Sequence, residues 1–270
     1  MSILSPTGSI RFAFANRGNA DHIASLIRAS GLASYETPTP AVFVSLAQQA
    51  PDIVLDVGAN TGLFTLLAAA ANPTSRVYAF EPLATVRELM RANIAHNPDL
   101  AARITIEPFG LSRANGSFPF FETINDHGLV ATSSSFELEH AQQAGEYREC
   151  TIIARTLDSW AERLGWATIQ LVKIDVEGHE HAVIEGGRKT IDRHRPFIIV
   201  EVLGTAKFDA MNAMLRESNY LDIALAPDAL CHCLTVRFHG SAWNHLLSPA
   251  EKAQQILTLC RELNLRMEFA

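Results

Sequence analysis

The sequence contains no block rich in lysine and arginine. Its 270 residues include 22 Lys and Arg against 29 Asp and Glu, which gives a formal net charge of −7 at pH 7. Proteins that bind nucleic acids present clustered basic side chains to the phosphate backbone. The composition therefore argues against a nucleic-acid partner.

The chain also lacks a long apolar run and a signal-peptide pattern. The stretch LFTLLAAAA at residues 63–71 is much shorter than the roughly 20 residues that a membrane-spanning helix requires. The N-terminal segment MSILSPTGSIRFAFANRG has neither the basic start nor the continuous apolar stretch of a signal peptide. We therefore predict no membrane partner and a cytoplasmic location.

Cysteine is scarce and its spacing is irregular. Cys150, Cys231, Cys233 and Cys260 do not form the pattern of a disulfide framework, which fits a reducing compartment. Cys231 and Cys233 flank His232 and would lie on one face of a strand, but no second Cys/His pair stands at zinc spacing. We interpret these residues as structural.

Apolar runs of strand length alternate with segments of helical periodicity. DIVLDVG, RVYAFE, IQLVKID and FIIVEVLG are apolar along most of their length, and helical patterns separate them, among them HEHAVIEGGRKTIDRH as a single helix. Such strands belong to a parallel sheet that helices cover on both faces. We therefore predict an α/β fold with a doubly wound, mainly parallel sheet.

Two regions depart from this alternation. Residues 116–156 contain two alternating segments around a polar stretch, which predicts an inserted antiparallel hairpin with a lid. The segment ALAPDALCHCLTVRFHG predicts an antiparallel hairpin near the C-terminus. We predict one domain overall, with an N-terminal helical extension at residues 1–50, a core at residues 51–240 and a C-terminal helix at residues 241–270.

The stretch IVLDVGANTGLFTLLAAAA, residues 53–71, reads as a strand, a tight loop and a helix that could hold a ligand at the carboxyl edge of the sheet. The dinucleotide fingerprint needs glycines at its first, third and sixth positions. With Gly58 as the first position, the third is Asn60 and the sixth is Leu63, so the fingerprint fails at both. No Gly-Lys-Ser/Thr follows, so the phosphate-loop pattern fails as well. The loop suits a ligand without a pyrophosphate.

Two acidic residues narrow the choice of ligand. Asp56 ends the first core strand, where it would repel phosphate but accept hydrogen bonds from an ammonium group. Glu81 ends the next strand, nineteen residues after Gly62, where an acidic side chain binds ribose hydroxyls. A nucleoside joined to a cationic amino acid group describes S-adenosylmethionine, which we predict as the cofactor.

The motifs LDVGANTGLFTLLAA, AFEP and LVKIDVEGHEHAVIEGG resemble those of the FkbM-type S-adenosylmethionine-dependent methyltransferases. The resemblance covers residues 35–204, and its most specific part is KIDVEG at residues 173–178. It implies a class I methyltransferase fold, which is Rossmann-like, and O-methylation of a natural product, a sugar or another small metabolite.

The resemblance also implies which residues hold the cofactor. The loop after the first core strand would line its methionine end, Glu81 would bind its ribose, and the segment EPFGLS would contact its adenine. The predicted cofactor-binding residues are Asp56, Gly58, Asn60, Thr61, Gly62, Glu81, Pro82, Gly110, Leu111 and Asp175.

Methyl transfer to a hydroxyl requires alignment of the acceptor and removal of its proton. We predict Asp175, His179 and His127 as catalytic candidates, because the first two follow a buried strand at the ligand edge and the third lies in the polar lid. Tyr35 and Glu36 could form the opposite wall. Asp175 could hold a magnesium ion together with Glu201, but no third ligand is identifiable and no metal is predicted.

Three alternatives remain open from the sequence. An N-methyltransferase would use the same cofactor site and differ in its acceptor pocket. A nicotinamide-dependent oxidoreductase is disfavoured by the missing glycines. A non-catalytic module would bind the cofactor without turnover. The predicted partner is a small-molecule acceptor, and a homo-oligomer is left open.

Overall fold

The computed structural model describes residues 2–5, 8–15, 21–124, 132–165 and 167–269. Its strands are β1 (Ser2–Ser5), β2 (Gly8–Arg11), β3 (Ile53–Val57), β4 (Arg76–Phe80), β5 (Ile104–Glu107), β6 (Gly110–Leu111), β7 (Gly116–Thr123), β8 (Tyr147–Arg155), β9 (Ile169–Ile174), β10 (Phe197–Glu201), β11 (Tyr220–Ala226), β12 (Ala229–Cys233), β13 (Asn244–Pro249) and β14 (Arg266–Phe269).

The α-helices of the same residues alternate with the core strands. They are α1 (His22–Ser30), α2 (Thr39–Gln48), α3 (Leu63–Ala71), α4 (Ala84–Ala95), α5 (Pro98–Ala101), α6 (Leu138–Ala144), α7 (Leu157–Ala161), α8 (Glu180–Glu185), α9 (Arg188–His194), α10 (Phe208–Glu217) and α11 (Ala253–Glu262).

A nine-stranded sheet forms the centre of the molecule, in the order β14-β12-β11-β13-β10-β9-β3-β4-β5. The five strands from β10 to β5 run parallel, whereas β13 pairs antiparallel with both β10 and β11. The antiparallel pair of β11 and β12 is the C-terminal hairpin. This architecture confirms the predicted doubly wound, mainly parallel sheet.

The strand order reverses between β3 and β9. From β3 the chain moves outward through β4 to β5, and it later returns to the other side of β3 to form β9 and then β10. At such a reversal the connections from adjacent strands leave toward opposite faces, so a crevice opens at the carboxyl ends of the strands. The crevice here lies between the loops that follow β3 and β9.

The core occupies both faces of the sheet because the central strands are apolar on both sides. All five residues of β3 are buried. Val54 packs with Val42 of α2 and Leu66 of α3, whereas its neighbour Leu55 belongs to a second cluster with Val183 of α8. Successive side chains of a strand point to opposite faces, so the two clusters are the two layers that hold the sheet.

A smaller sheet, ordered β6-β8-β7, contains the region inserted into the alternation. β7 and β8 pair antiparallel from Gly116 opposite Ala154 to Thr123 opposite Tyr147. An antiparallel pair of strands thus lies in the segment for which an inserted hairpin was predicted. Residues 125–131 of the predicted lid lie outside the described residues, and His127 lies with them.

The single helix predicted for HEHAVIEGGRKTIDRH is wrong, because the segment forms α8 and α9. The two helices meet at Gly186 and Gly187, where the chain passes other backbone closely. A Cβ atom on Gly186 would lie 2.1 Å from the carbonyl oxygen of Ser112, and one on Gly187 would lie 2.9 Å from Leu157. Close packing at the glycine pair thus accompanies the break, which helical periodicity did not reveal.

The ends of the chain contain strands that we did not predict. β1 and β2 form an antiparallel hairpin ahead of the N-terminal helices. Near the other end, β13 enters the main sheet between β10 and β11, and β14 pairs with β12. The division into an extension, a core and a C-terminal helix stays a prediction. No helix among the described residues is long and apolar enough to cross a membrane.

Candidate active site

A cavity of about 330 Å³ opens at the crevice between β3 and β9. The ends of β3, β4, β9 and β10 form its floor, α1 and residues 35–36 form one wall, and residues 132–134 and 136 of the lid form another. Among the predicted cofactor residues, those that line the cavity are Asp56, Gly58, Asn60, Glu81, Pro82, Gly110, Leu111 and Asp175.

Gly58 brings the loops after β3 and β9 into contact. Its φ of +79° is in the left-handed region, and a Cβ atom there would lie 1.7 Å from the carbonyl oxygen of Asp175. The amides of Gly58 and Ala59 both donate to the carbonyl oxygen of Phe80, each at 3.0 Å. Only glycine permits this approach, so the loop can join β3, β4 and β9 around the cavity.

Glu81 connects the ends of β3 and β4 through its carboxylate. The amide of Asn60 donates to Glu81 Oε2 at 3.1 Å, and the amide of Leu83 donates to Oε1 at 2.8 Å. Asn60 adopts a φ of +47°, which asparagine tolerates better than most residues. Burial raises the pKa of Glu81 to about 7, so its charge is sensitive to pH near neutrality.

Asp56 lies at the end of β3 with 2% exposure. Its Oδ2 accepts a hydrogen bond from Thr65 Oγ1 of α3 at 2.6 Å. Burial raises the pKa of Asp56 to about 6, although the hydrogen bond from Thr65 and the charge of Lys173 oppose this shift. A carboxylate held in this way is a ready acceptor for a cationic group in the cavity.

Lys173 supplies positive charge beneath the cavity. It is fully buried on β9, and its Nζ donates to Asp175 Oδ2 at 2.9 Å. Burial lowers the pKa of Lys173, but the charges of Asp175, Glu36 and Glu201 outweigh burial and hold that pKa above its usual value. Lys173 therefore stays charged and compensates part of the acidic floor.

Three carboxylates meet at the ends of β9 and β10. Asp175, Glu177 and Glu201 each offer one oxygen atom within 4.8 Å of the others. Burial, followed by the charges of Asp175 and Glu177, raises the pKa of Glu201 well above its usual value, and Glu201 Oε2 is buried without a hydrogen-bond partner. Glu177 is the possible third metal ligand that the sequence alone did not single out. Because Lys173 already neutralises charge here, we keep the absence of a metal as a prediction.

His179 does not line the cavity. Its Nδ1 lies 2.8 Å from Glu137 Oε1, its Nε2 lies 3.0 Å from Ser112 Oγ, and its ring stacks on Phe136 with the centroids 4.4 Å apart. The hydrogen bond with His179 lowers the pKa of Glu137 to about 2. Both ring nitrogens are thus engaged, and the side chain joins α8 to the lid.

Two predicted cofactor residues support the cavity from behind. Gly62 precedes α3 with a φ of +91°, and a Cβ atom there would lie 2.9 Å from Met90. Thr61 is buried, and its carbonyl oxygen accepts from Asn93 Nδ2 at 2.9 Å. Neither contributes a surface to the cavity.

The wall predicted from Tyr35 and Glu36 is present, whereas Trp243 was missed. Tyr35 and Glu36 line the cavity, and Asn244 Nδ2 donates to Glu36 Oε2 at 3.2 Å. Trp243 also lines it, from the loop before β13. No sequence signal distinguishes Trp243, because a single tryptophan in a loop has no periodicity or motif.

A family model described as a methyltransferase FkbM domain matches residues 56–221, which include all of this cavity floor. The chain belongs to this family. The resemblance drawn from the sequence motifs is therefore confirmed, as are the predictions of a methyltransferase with a Rossmann-like fold and of S-adenosylmethionine as its cofactor.

Three curated relatives are about a quarter to a third identical to the chain over the segments that align. The AMB antimetabolite synthetase AmbE of Pseudomonas aeruginosa is 29% identical over 67% of this chain and 10% of its own length. The 2-O-methyltransferase NoeI of Sinorhizobium fredii is 26% identical over 58% of this chain and 66% of its own. The 31-O-demethyl-FK506 methyltransferase FkbM of Streptomyces tacrolimicus is 33% identical over 50% of this chain and 59% of its own. The matches thus span less than two thirds of each relative.

The lining residues fit this cofactor. No Lys or Arg is among the described residues that line the cavity, which disfavours a phosphate-bearing ligand. Asp56 and Asp175 can accept hydrogen bonds from an ammonium group, and Glu81 can accept them from ribose hydroxyls. Leu83, Val86 and Phe120 form an apolar cluster at the cavity, which suits the flat adenine ring.

Proposed function

We propose that this FkbM-family protein transfers a methyl group from S-adenosylmethionine to a hydroxyl oxygen of a small molecule. The carboxylate of Glu201 is the observation that carries this proposal. It lies in the cavity with one oxygen unpartnered, and its pKa is raised well above the usual value by burial and by neighbouring carboxylates. A carboxylate with a raised pKa is a stronger base, and a neutral alcohol needs a base to lose its proton.

The proposed cofactor contacts follow the cavity from one end to the other. Asp56 and Asp175 hold the ammonium group, Glu81 holds the ribose hydroxyls, and the apolar cluster of Leu83 and Val86 contacts the adenine. The tight approach of the loops at Gly58 supports these contacts, because it fixes the carboxylates relative to one another. Thr61 and Gly62 act by supporting the loop.

When bound, S-adenosylmethionine supplies an electrophilic methyl group, which passes to the acceptor oxygen while the sulfur keeps the electron pair of the broken bond. Glu201 takes the hydroxyl proton. Asp175, which accepts a hydrogen bond from Lys173, orients the cationic part of the ligand. Removal of bulk water by the lid would strengthen each of these interactions.

His179 and His127 receive different roles in this proposal. Both nitrogens of His179 are engaged with Glu137 and Ser112, so we assign it to the position of the lid rather than to proton transfer. His127 remains a candidate that contacts the acceptor from the lid. The names of two relatives, a 2-O-methyltransferase and a 31-O-demethyl-FK506 methyltransferase, support oxygen as the acceptor atom.

The experiment has two parts. Calorimetric titration with S-adenosylhomocysteine tests the cofactor site, and failure to bind at high micromolar concentration would remove the proposal. Transfer of tritium from methyl-labelled S-adenosylmethionine to a panel of hydroxyl-bearing and amine-bearing compounds tests the reaction. Label found only on amine nitrogen would make the protein an N-methyltransferase and would exclude O-methylation.

A further inference from the structure

Apolar side chains stand exposed at the mouth of the cavity. Trp243 is 54% exposed and Leu26 is 43% exposed, and both line the cavity together with Leu203. Single exposed apolar residues are common on protein surfaces, but two large ones at the rim of one cavity indicate a binding surface. The contacts proposed for the cofactor lie deeper, at the ends of β3 and β4, so the rim is available to the acceptor.

Hydrogen bonds anchor both the ring and the backbone of Trp243 near the end of β10. Trp243 Nε1 donates to the carbonyl oxygen of Gly240 at 3.1 Å, and its own carbonyl oxygen accepts from the amide of Val202 at 2.6 Å. The next residue, Asn244, pairs with Glu201 in the sheet. Trp243 and Glu201 therefore lie at the same edge of the main sheet, and both line the cavity.

The charge of the cavity limits what can lie on this face. Its described lining contains six carboxylates and no Lys or Arg, and the buried Lys173 compensates only part of that charge. The six are Glu36, Asp56, Glu81, Asp175, Glu177 and Glu201. A negatively charged acceptor would be repelled, because the described lining has no Lys or Arg to pair with it and His140 already pairs with Glu177 at 3.1 Å.

The lid adds hydrogen-bonding groups opposite the apolar rim. Thr132, Ser133 and Ser134 line the cavity, and Ser134 Oγ accepts from the amide of Thr123 at 3.2 Å. Hydroxyl groups can both donate and accept, so they suit the hydroxyls of a neutral ligand. The mouth thus combines one flat apolar face with neutral polar groups.

We infer that the acceptor is an uncharged, polyhydroxylated ring compound, of the glycoside type, that stacks one face on Trp243 and that the cavity rejects its anionic analogues. This inference rests on the proposed function, whose acceptor it specifies. Aromatic side chains provide a large contact area at a small entropic cost, and the fixed ring of Trp243 would orient the ligand toward Glu201.

Two matched ligands test the inference directly. Phenyl β-D-glucopyranoside and phenyl β-D-glucuronide differ in a CH₂OH group against a carboxylate. Their binding to the full chain, saturated with S-adenosylhomocysteine, is measured by ligand-observed NMR at concentrations up to about 10 mM. We expect saturable binding of the glucoside and binding of the glucuronide at least about tenfold weaker.

Variants of the exposed tryptophan complete the test. Trp243→Ala should weaken glucoside binding about tenfold, whereas Trp243→Phe should keep it within about threefold. Phe238→Ala is the matched control, because Phe238 is 45% exposed on the same segment but does not line the cavity. It should leave binding unchanged.

The inference is overturned if the glucoside shows no saturable binding, if the glucuronide binds equally well, or if Trp243→Ala binds like the wild-type protein. These outcomes are distinct from a failure of the proposed function. Loss of S-adenosylhomocysteine binding in the unmodified chain would refute the function, whereas label transfer that Trp243→Ala leaves unaffected would refute only the role of Trp243.

Discussion

The ammonium group of Lys173 lies 2.9 Å from Asp175 Oδ2 beneath the cavity, and the lysine side chain has no solvent exposure. Glu36 and Glu201 also act on this ammonium and, with Asp175, hold its pKa above the usual value against the effect of burial. One buried cation therefore balances carboxylates from three parts of the chain. This arrangement connects the stability of the fold to the charge of the site.

Removal of that cation should destabilise the protein strongly. Lys173→Met leaves the facing carboxylates without a counter-charge, and the loss of one partner from a buried pair costs about 3–5 kcal/mol. Urea unfolding measures the change. The double variant with Asp175→Asn should lose less than the sum of the two single variants, because the two residues interact directly.

An exposed ion pair provides the comparison for Lys173. Arg266 and Asp228 form a pair with side chains 65% and 73% exposed. Arg266→Met should leave the free energy of unfolding nearly unchanged, because exposed ion pairs contribute little to stability. Equal effects of Lys173→Met and Arg266→Met would show that the buried lysine does not balance the site.

Replacement of Glu201 by glutamine should impair catalysis without loss of the cofactor. A general base contributes typically about 10²–10⁴-fold to a rate, so kcat should fall by at least about a hundredfold. The affinity for S-adenosylhomocysteine should stay within about threefold, because the proposed cofactor contacts do not include Glu201. Radiolabel transfer and calorimetry give the two values.

Glu262→Gln is the matched control for Glu201, since Glu262 is an exposed glutamate on α11. It should keep the wild-type kcat. A Glu201→Gln variant with full activity would exclude Glu201 as the base and return attention to Asp175 and His127.

His179 should act on stability rather than on chemistry. His179→Phe keeps an aromatic ring against Phe136 but removes the hydrogen bonds to Glu137 and Ser112. We expect the free energy of unfolding to fall by about 1–3 kcal/mol. The kcat of the folded variant should remain within about threefold, with an unchanged pH profile. A hundredfold loss of kcat together with an altered pH profile would instead identify His179 as a base.

The sequence predicted the cofactor end of the cavity well because local pattern determines it. Asp56 and Glu81 end apolar strands, and parallel strands bring their carboxyl ends to one edge. Eight of the ten predicted cofactor residues line the cavity, and their roles in binding stay predictions. Gly62 shows the limit of such a prediction. This glycine of the motif makes room for Met90 of α4 and does not line the cavity.

The acceptor end was less accessible to sequence reasoning because distant segments build it. Trp243 comes next to Glu201 only because β13 inserts between β10 and β11. Glu177 joins Asp175 and Glu201 because the chain turns at its φ of +56°. No spacing in the sequence encodes the position of Trp243, and the same holds for the contact of His179 with Glu137.

The glycine at position 58 should tolerate no side chain. A Cβ atom would lie 1.7 Å from the carbonyl oxygen of Asp175, and its φ of +79° adds strain for any other residue. Gly58→Ala should therefore lower the free energy of unfolding by about 2 kcal/mol or more and abolish S-adenosylhomocysteine binding. Gly204→Ala is the control, because a Cβ atom there meets nothing within 4 Å. Wild-type affinity in Gly58→Ala would contradict the proposed loop contact.

The affinity for S-adenosylhomocysteine should depend on pH through Glu81. Burial raises the pKa of this carboxyl from 4.5 to about 7, so the cofactor-free protein is partly protonated there at neutral pH. The ionised form accepts hydrogen bonds from ribose hydroxyls more strongly, and affinity should therefore rise with pH up to about 7 and then level off.

Because the folded protein binds more protons than the unfolded chain between about pH 4.5 and 7, the stability of the cofactor-free protein should fall across the same window. Calorimetry from pH 6 to 8 measures the trend in affinity, and urea unfolding from pH 4.5 to 8 measures the trend in stability. The Asp56→Asn variant removes the titration of Asp56, whose pKa is raised to about 6, and so isolates that of Glu81. Glu81→Gln should bind more weakly and lose the dependence near pH 7; a wild-type affinity that stays constant from pH 6 to 8 would rule out Glu81 as the titrating group.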